Sequence, residues 1–216
     1  FDAAGFFVAW QRAYNLKGSQ ILVDKSNHYL GSPEILFHAL GRRAALCVVT
    51  RDPRDTLLSL QSFAESREVP RGVDFWEYWG QIHHKFLDYA GSSNFGDRIF
   101  LLRYEDLVSD PCEAKREYLN WIGLETDKYE ITKTYRLPER QEFVTDKVHD
   151  NSEIKSEGLQ LWKKGRHDPE YIDLLEQWKF DDQARSAMKM LGYFDDGVGQ
   201  PRVDSSNFHF FLPSQL

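Results

Sequence analysis

Short apolar runs of strand length alternate along this chain with longer stretches whose apolar residues recur at helical spacing. A helical pattern over residues 3 to 15 gives way to "SQILVD" at 19–24, which reads as a strand. "SPEILFHAL" follows as a helix, with Ser32 as its cap, Pro33 at its first position and Glu34 adding a favourable charge in the first turn. "AALCVVT" at 44–50 is a second buried run, "PRDTLLSLQSFAES" from 53 a helix, and "VDFWEYWGQIHHKFLDYA" at 73–90 a longer amphipathic helix. "DRIFLLRY" at 97–104 reads as the third strand. Residues 127 to 157 are polar without a sustained period, the pattern of a long loop or cover. "DPEYIDLLEQWKFDDQARSAMKMLGY" reads as one closing helix, capped by Asp168, started by Pro169 and stopped by Gly192. Strands alternating with helices predict an α/β fold, a parallel sheet flanked by helices on both faces. The expected organisation is one domain over 1–194 and an irregular tail over 195–216.

Composition restricts the ligands such a fold can take. The 216 residues, 41% hydrophobic and 14% aromatic, suffice for one substantial core. A formal charge of −7, from 27 basic and 34 acidic residues, sets the chain as a whole against coating itself with nucleic acid or anionic membrane. A polyanionic ligand therefore needs a local basic pocket. No run nears the roughly 18 apolar residues of a membrane span. The opening "FDAAGFFVAW" lacks the basic region of a secretory signal. The cysteines, Cys47 and Cys112, are too few for a disulfide scaffold or a structural zinc site, and the cytoplasm is the expected compartment.

Three basic segments converge on one edge of that sheet. In "VVTRDPRDTLLSLQSF", residues 48–63, an apolar strand run ends against Arg51 at the mouth of a helix, with Ser59 about two turns in. Ligands of open parallel sheets sit beyond the carboxyl ends of the strands, where a helix start offers backbone N–H groups to an anion. An arginine and a hydroxyl so spaced can grip one phosphate from two sides. The plain alternative is a surface ion pair of Arg51 with Asp52 or Asp55, with Ser59 a filler. Lys25 follows the first strand in "VDKSNHYLGSP" and projects from the same edge. "GLQLWKKGRHDPE" gathers Trp162, Lys163, Lys164, Gly165 and Arg166, an aromatic face that can stack on a base or wall a site beside three cations. A solvated basic loop is the competing account of each segment alone.

Other constellations carry less. His83 and His84 point about 100° apart on a helix, which suits no common metal pair. "GSSNFG" at 91–96 has the glycine spacing of a phosphate loop but precedes a strand, and Asp97 and Arg98 stand where lysine and a hydroxyl residue belong, so it reads as a turn. Phe75, Trp76, Tyr78, Trp79, Phe86 and Tyr89 crowd one helix at core spacing, with an acceptor-site wall as the other use.

In order, "DKSNHYL", "TRDPRDTLLS", "RYEDLVSDP" and "LWKKGRHDPE" with the later "LGY" resemble the motif series of sulfotransferases that use 3'-phosphoadenosine-5'-phosphosulfate (PAPS), over most of residues 20 to 194. The resemblance implies a P-loop-kinase-like α/β fold and metal-free, in-line transfer of a sulfuryl group to an acceptor hydroxyl or amine, releasing adenosine 3',5'-bisphosphate (PAP). It also implies residue roles. Arg51 and Ser59 would hold the donor's 3'-phosphate, Lys163, Lys164 and Gly165 would cover it, and Lys25 would stabilise the sulfuryl group or the leaving phosphate. One branch of the family has lysine, threonine and histidine in the first loop; here Asn27 takes the third position, leaving His28 as a candidate base or a loop histidine bonded to backbone.

The family's opening strand, donor loop and helix have no counterpart. Either an N-terminal segment lies upstream or a degenerate relative has lost it, and the missing strand favours an N-terminally truncated domain. Two other readings stand beside the transferase: a P-loop nucleotide-kinase-like phosphotransferase, which needs a magnesium-binding hydroxyl and acid beside a glycine-rich loop, and a non-catalytic sulfotransferase-like nucleotide-binding or scaffold module. The acceptor is unassigned, because its pocket is built from loops.

Overall fold

A computed structural model describes residues 5, 8, 9, 12, 23, 27–64, 73–126, 159–164, 169–202 and 208–210. Lys25, Gly165, the stretch 127–157 and nearly all of the expected first strand lie outside them. Gly5, Val8, Ala9 and Arg12, from the first predicted helix, are helical.

Two predicted strands form. Strand β1 is Leu46–Thr50 and strand β2 is Ile99–Arg103; they pair in parallel with Thr50 opposite Arg103. That register brings both carboxyl ends level, so the residues after each strand meet. All five residues of β2 are buried, as a strand covered on both faces requires. Ile99 and Leu101 join the main core with Phe37, Trp76, Phe86, Met188 and Leu191, whereas Phe100 and Leu102 pack with Ala114 on the opposite face.

The helices account for those two layers. Helix α1 is Pro33–Leu40, α2 is Pro53–Ala64, α3 is Val73–Ser92, α4 is Tyr104–Ser109 and α5 is Pro111–Trp121. Ser32 stands at the N-cap position of α1, but its side chain makes no capping bond; its carbonyl accepts from the Ile35 N–H at 3.2 Å instead. Of the α3 aromatics, Phe75, Trp76, Trp79 and Phe86 are buried and Tyr78 is exposed, so core packing is the main use of that stripe. The Trp76 indole N–H donates to the Leu174 carbonyl at 2.7 Å, fastening α3 to the C-terminal helices.

The closing helix is divided. After the short α6 (Leu161–Lys164), α7 runs Pro169–Glu176, a 3-10 turn covers Gln177–Phe180, and α8 runs Asp182–Leu191. Asp181 restarts the helix by accepting the Ala184 N–H at 2.6 Å, which a side chain at an N-cap does and a residue inside a helix does not. Gly192 ends α8 in the left-handed region, φ 81°. A Cβ there would lie 2.5 Å from the Gly199 carbonyl oxygen, so only glycine fits. At Gly80 a Cβ would fall 2.4 Å from the Ala184 nitrogen, because α3 and α8 cross in backbone contact.

The tail is not irregular throughout. Strands β3 (Tyr193–Phe194) and β4 (Gly197–Val198) form an antiparallel hairpin, and β5 (His209–Phe210) adds to β2 in parallel, giving sheet order β1-β2-β5. Strands of two residues are too short for any alternation to reveal. Among the described residues no helix is long and apolar enough to cross a membrane.

Candidate functional site

Charged residues stand at and just after the ends of β1 and β2, and the parallel register buries them together. Asp52, Arg54, Asp55, Arg103, Glu105 and Asp106 are each at most 6% exposed. Such burial is tolerable only with partners, and the described contacts supply them. The Asp52 carboxylate accepts from the Arg54 guanidinium at 2.8 and 2.9 Å and from the Arg54 backbone N–H at 2.9 Å. Asp52 is thus the N-cap of α2, and its carboxylate already occupies the positive end of the helix. The anion site expected at that helix start is filled by the chain's own acid.

Glu105 bridges outward from this pair. One oxygen accepts the Asp52 N–H at 2.8 Å and the other the Tyr193 hydroxyl at 3.1 Å. Burial raises the Glu105 pKa, and the two bonds offset part of the rise. Burial beside Glu105 and Asp52 holds the Tyr193 hydroxyl well above its ordinary pKa, so it stays a donor. Arg103 spans the other way, with bonds of 2.6 and 3.0 Å to Asp106 and bonds to the carbonyls of Leu191 and Gly199 at 3.0 and 2.7 Å. The strand ends, α8 and the β3–β4 hairpin are thereby one polar network.

Asp55, fully buried, accepts the backbone N–H of Gln160 at 2.8 Å and that of Trp162 at 3.2 Å. Its pKa is raised by burial and by the nearby Asp52, against the lowering effect of those bonds and of Arg51. The Arg54 guanidinium carbon stands 3.7 Å from the centroid of the Trp162 ring. Lys163 donates to the Asp196 carbonyl and lies over the same ring at 5.1 Å.

The expected site residues fall as follows. Arg51 is half-buried at the end of β1, its guanidinium 5.1 Å from the Tyr104 ring centroid. Asp52 and Asp55 are buried rather than on the surface, bonded to Arg54 and to the Gln160 and Trp162 N–H groups, while the Arg51 charge acts to lower the Asp55 pKa. Ser59 is half-buried on α2. Trp162, Lys163 and Lys164 form α6, which packs on α2, with both lysines exposed. The helix that follows Arg51 and the turn that bears Lys163 and Lys164, more than a hundred residues apart in the chain, thus pack together. One ring face of Trp162, taken as a wall or base-stacking surface, carries Arg54. His28 lies on the 3-10 turn Asn27–Leu30, which packs against α1 and α3. Lys25 and Gly165 fall outside the described residues.

The sequence pattern raised no expectation for Arg54, Glu105 and Tyr193, and for Asp52 and Asp55 only that of surface partners to Arg51. The signal available was "RDPRD" and "RYED", charges directly abutting buried strands, where few side chains can reach water.

Comparisons with known proteins bear on this arrangement. A family model described as "Sulfotransferase family" matches residues 2–128, more than half of the chain. Among solved structures the chain is similar to the "Sulfotransferase Domain from the Curacin Biosynthetic Pathway", at 20% sequence identity and a TM-score of 0.52, covering 88% of this chain and 68% of that one. At that identity the likeness shows the fold alone. No curated protein matches.

Proposed function

The chain belongs to the sulfotransferase family, and from that premise we propose that it moves a sulfuryl group from PAPS to a hydroxyl or amine of an acceptor. The observation that supports this reading is the bonding of Asp55, four residues after Arg51, to the backbone N–H groups of Gln160 and Trp162 in the turn that bears Lys163 and Lys164. A nucleotide with three anionic groups demands a local basic pocket in an acidic protein, and the cations assigned to it here are Arg51, Lys163 and Lys164.

The residues fit such a donor. Thr50 Oγ1, at the end of β1, is buried and has no hydrogen-bond partner among the described residues. Buried hydroxyls of that kind are rare unless a ligand or water completes them. Arg51, a planar fork, suits a phosphate better than a point charge does. Arg51 and Ser59 are assigned to the 3'-phosphate, Lys163, Lys164 and Gly165 to its cover. Lys25 is assigned to the sulfuryl or leaving phosphate oxygens.

When bound, the donor supplies the sulfuryl group: an acceptor oxygen or nitrogen bonds to sulfur, the bond from sulfur to the 5'-phosphate oxygen breaks, and PAP leaves. The protein's part is to align the reactants and to neutralise charge on the leaving phosphate. His28 is the candidate to take the acceptor's proton. Incubation with PAPS and a panel of aryl and alkyl alcohols and amines tests the reading: PAP release matched by a sulfated acceptor supports it. Release of PAP by no acceptor, from protein shown to be folded, contradicts it.

A further inference from the structure

The segment Gln160–Lys164 is held from two sides by residues outside the expected site. Gln160 has φ 52°, a left-handed conformation that strains a residue with a Cβ. Such a conformation persists only where its surroundings fix it, and here the Asp55 carboxylate takes the Gln160 N–H at 2.8 Å. Two residues on, the same carboxylate takes the Trp162 N–H, and the Gln160 carbonyl accepts from the Lys163 N–H at 3.0 Å, closing the turn. The Arg54 guanidinium, gripped by Asp52, stands over the Trp162 ring, its carbon 3.7 Å from the centroid. From the other side the β3–β4 hairpin takes the Lys163 ammonium on the Asp196 carbonyl. A Cβ on Gly197 would lie 3.0 Å from that ammonium nitrogen, so glycine permits the approach.

We propose that Asp55 and Arg54 are positioning residues that fix the Gln160–Lys164 turn against Arg51, so that the basic wall of the donor site is preformed before nucleotide arrives. The inference rests on the reading of this edge as a nucleotide site. Its physical basis is preorganisation: a turn already ordered loses little further freedom on binding, whereas a free basic loop must be ordered by the ligand. Neither side chain touches the nucleotide in this account. Both act through the backbone and ring they hold, so their loss weakens binding without removing any cation that contacts phosphate.

The test combines amide hydrogen exchange with calorimetric titration of PAP, on wild type and Asp55→Ala. The expected result is faster exchange at the Gln160 and Trp162 amides, PAP affinity weaker by about tenfold, and exchange unchanged in β2. Released amides with unaltered PAP affinity overturn the proposal, as do amides that stay protected without the carboxylate. If Asp55→Ala does not fold, Arg54→Lys carries the test. It keeps a charge beside Asp52 and loses the guanidinium over the Trp162 ring, and about threefold weaker PAP binding is expected. Unchanged affinity in Arg54→Lys overturns the proposal. Wild-type protein that binds no PAP overturns the nucleotide reading itself and with it the role assigned to the turn, whereas the exchange result still reports whether Asp55 holds it.

Discussion

Acidification should destabilise this protein through His83, and the size of the effect follows from where the imidazole sits. Its ring is buried on α3, stacked on Trp79 with centroids 4.1 Å apart, and Nδ1 donates to the Trp79 carbonyl at 2.8 Å. That bond favours the cation slightly, but burial dominates and lowers the pKa to about 4 from an ordinary 6.5. A base whose pKa is depressed in the folded state is protonated first in the unfolded chain. Folding stability is therefore unaffected above pH of about 7 and falls as pH drops from about 6.5 toward 4. The linkage gives about 2 kcal/mol lost at pH 5 and about 3 kcal/mol at pH 4. The raised pKa values of Asp55, Glu105 and Asp106 act in the opposite sense, since their neutral forms are favoured by folding. Comparison with His83→Gln cancels them. Glutamine retains an N–H and cannot titrate, so the wild-type advantage over the variant should shrink by about 2 kcal/mol between pH 7 and pH 5 in urea unfolding. A gap that changes by less than about 0.5 kcal/mol would refute the reasoning, because it would mean that the buried ring is protonated as easily as a free one.

Three other substitutions probe the packing and the site. Gly80→Ala should force α3 and α8 apart and cost about 1 to 3 kcal/mol, read as a lower thermal midpoint with the helical signal intact below it. Arg103→Ala should cost about 3 to 5 kcal/mol, since it leaves the buried Asp106 carboxylate alone and strips the Leu191 and Gly199 carbonyls of a donor; a loss under about 1 kcal/mol in urea would contradict the network. Lys25→Ala should lower kcat for PAPS-dependent transfer more than it raises the donor Kd, whereas equal losses would make Lys25 a plain binding residue.

Short apolar runs bounded by charge made much of the fold legible. "LCVVT" and "IFLLR" are β-branched or leucine-rich and bounded by charge, and each became a strand at the expected place. Pro53 and Gly192 marked a helix start and a helix end because each restricts or frees the backbone in a way no neighbour can override. The break at Asp181 was hidden: apolar spacing continues across it, and only the side-chain bond to Ala184 distinguishes a restarted helix from an unbroken one. β5 was hidden because His209 and Phe210 are strand only by virtue of pairing with β2. In the candidate site the cations were visible as Arg51 and the Lys163–Lys164 pair. Their coupling was not, because Asp55 meets Gln160 across 105 residues of chain and reaches its backbone, which leaves no trace in side-chain pattern. The Asp52 cap was open to a nearer reading, since an acid just before Pro53 is the ordinary way to start a helix.

Titration calorimetry of PAP against the wild-type chain, the Arg51→Ala variant and ATP as control tests the central claim most directly. The account predicts roughly micromolar PAP binding, weaker ATP binding, and a loss of about 2 to 5 kcal/mol in PAP affinity when Arg51 is removed. PAP binding that is indifferent to Arg51, or no binding by folded protein, would contradict it.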